Sequence, residues 1–207
     1  MKKLIKLNLE ELANQMKTME CNETDSVVGG DWYYIEQEGR IQKSGDGDAM
    51  RVVNSSWEIY QGNAPKLCQV SRDRQNTVLQ ALGREVGVGN DVLISSLNYA
   101  GSTSGSVSFA YTEWLPGGGT SITINNNTDL YRVGNYYDLL NIMTHERTHT
   151  QQSDHGTLTQ YERDVAELQA YSAMVNDPLF HRCTPAFQQA MRASLDEYRE
   201  KTGLYNY

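Results

Sequence analysis

The chain has 207 residues, enough for one ordinary domain and few for two. A formal charge of −8 argues against a nucleic-acid-binding protein, which needs a concentrated basic face. The 13 Tyr, 3 Trp and 3 Phe within a 39% hydrophobic content exclude a wholly disordered chain. No run approaches the roughly 18 apolar residues of a membrane-spanning helix, so no membrane span is expected.

Residues 1–30 begin with Lys2, Lys3 and Lys6, as a signal peptide would, but Lys6, Asn8, Glu10 and Glu11 break the hydrophobic block. Leu9, Leu12, Met16 and Met19 recur at helical spacing and predict a short amphipathic helix. A polar stretch leads to Val27-Val28-Gly29-Gly30. This segment resembles the double-glycine leaders of exported peptides and small proteins. The resemblance implies that a peptidase domain on an ABC exporter grips the helix and cuts after Gly30. Residues 1–30 would then be a leader, 31–207 the mature domain, and the mature protein secreted or periplasmic. Cleavage would remove Cys21 and leave Cys68 and Cys183 as a pair able to bridge in an oxidising compartment. None of the three cysteines has CxxC spacing, which argues against a thiolate zinc site. The alternative for this segment is a helix packed on the domain, with Gly29-Gly30 as a simple turn.

Between residues 31 and 70, WYYIE, RIQK, RVVN and SWEIYQ read as short strands separated by Gly, Asp and Asn. SGDGD at 44–48 lacks the full twelve-residue calcium pattern and reads as a turn. Residues 71–86 predict a helix capped by Ser71, with Val78, Leu79, Leu82 and Val86 as its apolar stripe. Residues 91–98 fit a strand or a helix equally. SVSFAYTEW at 106–114 and TSITINNN at 120–127 read as strands around an LPGGG loop. Those glycines lead into a strand and no Lys follows, which removes a phosphate-binding reading.

The clearest helix spans 136–152, with Leu139, Leu140, Met143 and Tyr136 as its buried face. A second covers 158–175 and is ended by Asp177-Pro178. The last starts at Thr184-Pro185, a cap followed by Pro at the first helical position. Strands come first and helices after, which predicts an α+β fold.

The helix at 136–152 carries His145-Glu146-Arg147-Thr148-His149, an HExxH motif. Residues i and i+4 share a helix face, so both imidazoles can reach one metal ion, with Zn2+ the default for such donors. Bound zinc lowers the pKa of its water towards about 7 and polarises a carbonyl. Glu146, one position beyond the first ligand, would take that water's proton and pass it to the leaving amine. His145, His149 and His155 lie within eleven residues, whereas His181 stands alone and needs no special role.

A catalytic zinc site usually has a third protein ligand. Glu167 lies 18 residues after His149 on the next predicted helix. Its context, Glu167-Leu168-Gln169-Ala170-Tyr171, resembles the second motif of the gluzincin metallopeptidases, which implies Glu167 as that ligand. The family often places an acidic residue four positions later, where this chain has Tyr171. His155 is the rival ligand: it follows His149 by six residues, as in the metzincin peptidases, but Gln152 stands where that pattern wants Gly. Glu162 is a third choice, and a solvated charge beside Arg163 is its other reading. The preferred set is His145, His149 and Glu167 around Glu146.

The zincin resemblance covers roughly residues 120–176 and implies a zincin-like fold. It also implies that the strand at 120–127 edges the cleft and pairs with an extended peptide. Tyr111, Tyr136, Tyr137 and Tyr171 are candidate oxyanion donors, with packing as their other role. The function implied is an exported zinc metallopeptidase acting on peptide or protein substrates. Two alternatives stay open. One is a non-catalytic exported bacteriocin-like or binding protein on the same scaffold. The other is a cytoplasmic zinc hydrolase with residues 1–30 built into the fold.

Overall fold

A computed structural model describes residues 31–61, 64–97, 109–126, 135–152 and 158–206. The leader reading of residues 1–30, Cys21 and His155 all lie outside the described residues. The elements number β1 (Asp31–Ile35), β2 (Arg40–Ser44), β3 (Met50–Val53), α1 (Arg72–Glu85) and β4 (Leu93–Leu97). They continue with β5 (Ala110–Trp114), β6 (Thr120–Asn125), α2 (Tyr136–Thr150), α3 (Gln160–Val175) and α4 (Pro185–Thr202). The class is α+β, as the order of strands and helices predicts.

Strand β1 is buried on both faces because it separates two apolar clusters. Tyr34 points into the main core, while Tyr33 and Ile35 join Val53 and Ala64 in a smaller one. It pairs antiparallel with β2 and parallel with β3, giving the order β2-β1-β3. SWEIYQ is not the expected strand but a 3-10 helix, Ser56–Gln61. The reason is local. The Glu58 carboxylate accepts from the Asn54 backbone N–H at 3.0 Å and from its side-chain amide at 3.2 Å, closing a turn. Trp57 is 68% exposed and so supplies no sheet face.

Helix α1 forms where its stripe predicts, with Val78, Leu79 and Leu82 fully buried. Ser71 occupies its cap position, but the Ser71 side chain makes no capping hydrogen bond. Gly83 lets α1 approach β4 closely, since a Cβ there would lie 2.2 Å from Ile94 Cδ1. The ambiguous segment at 91–98 contains β4, which pairs parallel with β6. Strand β5 pairs antiparallel with β6, so the order is β4-β6-β5. The expectation that 120–127 edges the cleft is thereby corrected: β6 is central, with both sides taken. Residues 121–125 are all buried, the pattern of a strand covered on both faces. The turn between β5 and β6 needs its glycines, because Gly117, Gly118 and Gly119 all have φ near +100° (96°, 92° and 104°).

Helix α2 starts where the Asn135 side chain accepts from the N–H groups of Tyr137 and Asp138. It is buried almost all round from Tyr136 to Thr144. Trp32 of β1 stacks on Tyr136 at 3.8 Å between ring centroids, which ties the first sheet to the helix start. Helix α3 contacts both α2 and α4, and β5 packs on α2. Thr159 and Glu162 form a capping box at the start of α3. Thr184 caps α4, Pro185 is its first residue, and Gly203 ends it with φ +70°.

Cys68 and Cys183 are not bridged; both remain thiols. Cys183 is buried, and its Sγ accepts from the Asn141 amide at 3.2 Å. No helix among the described residues is long and apolar enough to cross a membrane.

Asp138 is almost wholly buried and links α2 to α4 by accepting from the Thr184 N–H and hydroxyl, both at 2.8 Å. Replacing it by Ala strands both donors. Asp138→Ala is expected to lower stability by about 2–3 kcal/mol. Urea denaturation should show this as a lower midpoint with an unchanged slope.

Candidate metal centre

The last two turns of α2 bring His145, Glu146 and His149 to the level of α3 and β5. Glu146 and His149 are buried and His145 is nearly so. Helical periodicity puts both imidazoles on one face, with their Nε2 atoms 3.0 Å apart. Helix α3 supplies Glu167 from across the helix pair. Its Oε2 lies 3.5 Å from His145 Nε2 and its Oε1 lies 3.6 Å from His149 Nε2. These are the one group of three or more potential ligand residues found among the described residues, with ligand atoms all within 4.8 Å of one another.

The dimensions suit a small divalent ion. Tetrahedral zinc with bonds of about 2.0–2.1 Å separates its ligand atoms by about 3.3 Å. The three distances here, 3.0, 3.5 and 3.6 Å, bracket that value. Two imidazole nitrogens and a carboxylate are also a three-ligand set used by catalytic zinc. The 3.0 Å approach of two Nε2 atoms is itself informative, because two bare lone pairs would repel; a proton or a cation must lie between them.

Electrostatics follow from this packing. Burial by itself would raise the Glu167 pKa, but hydrogen bonds and charge from His145 and His149 outweigh it and hold the carboxyl well below its ordinary range. Burial pushes His149 down, while Glu167 first, then Glu146 and Gln152, push it up by more. The net direction for His149 is upward.

Glu146 points to β5. The Thr112 hydroxyl donates to Glu146 Oε2 at 2.7 Å and lies 3.3 Å from the Glu146 carbonyl oxygen. Sequence reasoning missed Thr112, since nothing in a strand pattern links it to a residue 34 positions later. It missed Gln152 as well. The Gln152 Oε1 lies 2.8 Å from His149 Nδ1, and its amide nitrogen reaches the Ala166 carbonyl and Gln169 Oε1 on α3. The only sequence signal at Gln152 was its departure from the metzincin glycine.

The remaining candidates separate clearly. Glu162 is not a ligand, because its carboxylate is spent on the Thr159 backbone N–H and hydroxyl, both at 2.7 Å. Tyr136 donates to Glu85 at 2.9 Å, and Tyr137 is a fully buried core residue. Tyr171 packs its ring against His145 at 4.5 Å, stacks on Tyr198, and hydrogen-bonds Ser194 with its hydroxyl. These three are therefore packing residues. Tyr111 lies on β5 next to Thr112. His181 bonds the Pro178 carbonyl and takes no part in the cluster. His145 Nδ1 is buried without a hydrogen-bond partner among the described residues.

No protein-family model, curated protein or solved structure matches the chain significantly.

The Thr112 bond is a charge-assisted contact to a buried carboxylate. Thr112→Val should cost about 1.5–3 kcal/mol of stability, and Thr112→Ser should retain most of it. Chemical denaturation of the three proteins side by side checks this.

Proposed function

We propose that residues 31–207 form a zincin-like, zinc-dependent metallopeptidase, exported behind a double-glycine leader at residues 1–30. The observation that carries this reading is the convergence of His145, His149 and Glu167 from two helices, with the Glu146 carboxylate adjoining. His145 Nε2, His149 Nε2 and the Glu167 carboxylate would hold the ion. Zinc bound there would supply a Lewis acid for the scissile carbonyl and a water made acidic enough to attack near neutral pH.

The chain's own part is proton handling. Thr112 fixes one oxygen of Glu146, leaving the other to accept a proton from the attacking water. The same oxygen can then return that proton to the departing amine, so Glu146 ends the cycle ionised. Burial of Glu146 keeps bulk water from competing for that exchange.

One observation favours a second reading. The Nδ1 of His145, without a hydrogen-bond partner among the described residues and beside Tyr171 where the resembled family often has an acid, fits a non-catalytic exported bacteriocin-like or binding protein on the same scaffold. Metal analysis and a fluorogenic peptide library distinguish the two.

The purified chain is expected to hold one zinc per molecule and to cleave peptides. Glu146→Gln should keep the zinc and lose at least about 100-fold in kcat. Glu167→Ala should lose the zinc itself. A wild type that takes up zinc without cleaving, or that takes up no zinc, removes the first reading and selects the second. N-terminal sequencing of exported protein tests the leader, with Asp31 as the expected first residue.

A further inference from the structure

His149, at the end of the motif, has a side-chain partner at Nδ1, and His145 Nδ1 has none among the described residues. Gln152 lies just beyond α2, and its amide bridges α2 to α3. Its Nε2 sits 3.0 Å from the Ala166 carbonyl oxygen and 3.1 Å from Gln169 Oε1. A backbone carbonyl can only accept, so the amide nitrogen must face Ala166. The Gln152 oxygen must therefore face His149, where it lies 2.8 Å from Nδ1. An amide oxygen can only accept as well, so Nδ1 must carry the proton. The proton on Nδ1 leaves the Nε2 lone pair of neutral His149 bare, aimed at His145 and Glu167.

We propose that Gln152 is a positioning residue that locks His149 in the tautomer able to ligate a metal. The lock is transmitted from α3, because the carbonyl of Ala166, the residue beside Glu167, is what orients the amide. One contact thus sets the chemistry of His149 and the placement of α3 against α2. His145 has no equivalent, since its Nδ1 is buried without a partner among the described residues. The two imidazoles are consequently unequal: His149 is prepared for the ion and His145 is not.

The affinity part of this proposal rests on the metallopeptidase reading; the tautomer part does not. The full chain, labelled with nitrogen-15 at histidine, is observed by imidazole NMR after chelator treatment, at a pH where the rings are neutral. His149 should show a protonated Nδ1 and a bare Nε2. In Gln152→Met, similar in size but without an amide, that preference should be lost. Zinc affinity, read by competition with a chromophoric chelator, should fall about 10- to 100-fold. Gln152→Glu keeps an acceptor for Nδ1 but replaces the donor to the Ala166 carbonyl by a second acceptor, so it should recover the Nδ1 proton and the affinity only in part. Circular dichroism checks that each variant folds, and if Gln152→Met does not, the wild-type spectrum and Gln152→Glu still decide. A wild-type His149 protonated on Nε2 overturns the proposal. So does a folded Gln152→Met that keeps the Nδ1 proton, or that binds zinc as tightly as a zinc-binding wild type. A tautomer controlled by Gln152 in a chain that binds no zinc refutes the metallopeptidase reading and leaves the positioning role standing.

Discussion

The structure around the end of α2 depends on the contact between Glu167 and two imidazoles one helical turn apart. A carboxylate taken out of water without partners costs several kcal/mol, and two imidazoles facing each other through bare nitrogens repel. Brought together, the groups answer each other's needs, which is why Glu167 stays ionised although burial opposes it. Beside the half-buried Glu167, the neighbourhood holds a buried carboxylate in Glu146, whose described hydrogen bond is from neutral Thr112. Two carboxylates, Glu146 and Glu167, thus stand beside the imidazole pair, a donor set that a divalent cation would suit.

The rest of the fold makes that contact possible by fixing helix positions at their far ends. Helix α2 is held at its start by Trp32 stacking on Tyr136 and by the bond from the Tyr136 N–H to the Asp48 carbonyl at 2.7 Å. Within the same first turn, Asp138 binds the cap residue of α4, and α4 packs on α3. The position of α3 against α2 is therefore set twice. Asp138 sets it through α4 at one end, and Gln152 sets it directly at the other. A triangle of potential ligand atoms with sides of 3.0–3.6 Å needs such control, since a shift of an ångström between helices would open it.

Most local relations were legible in the sequence, and most distant ones were not. The pairing of His145 with His149 follows from helical geometry alone, and the cap at Thr184 and the stop after residue 175 follow from their local residue types. Glu167 was found through its surrounding motif, and the fold then brought it to the imidazoles. Thr112 reaches Glu146 only because β5 packs on α2, a fact no window around either residue contains. The strand at 120–125 was read correctly as a strand but placed wrongly in its sheet. Periodicity reports which side chains are buried; neighbour order depends on where β4 comes to lie. SWEIYQ failed for the opposite reason, since a short-range bond from Asn54 to Glu58 overrode a strand-like composition.

Tyr171 shows how the site balances charge against packing. An acidic residue there could accept from His145, but it would add a third carboxylate beside Glu146 and Glu167. Tyr171 brings no charge at neutral pH: burial first, and then the Glu167 charge, drive its phenol pKa upward. Its ring instead closes the site on the His145 side and stacks on Tyr198, building an apolar wall. An apolar wall lowers the local dielectric and strengthens every remaining charge interaction within it. His145 Nδ1 has no hydrogen-bond partner among the described residues, while His149 has one in Gln152. Holding one ring by a hydrogen bond and the other by aromatic packing keeps both rings in place, with the excess negative charge limited to two carboxylates.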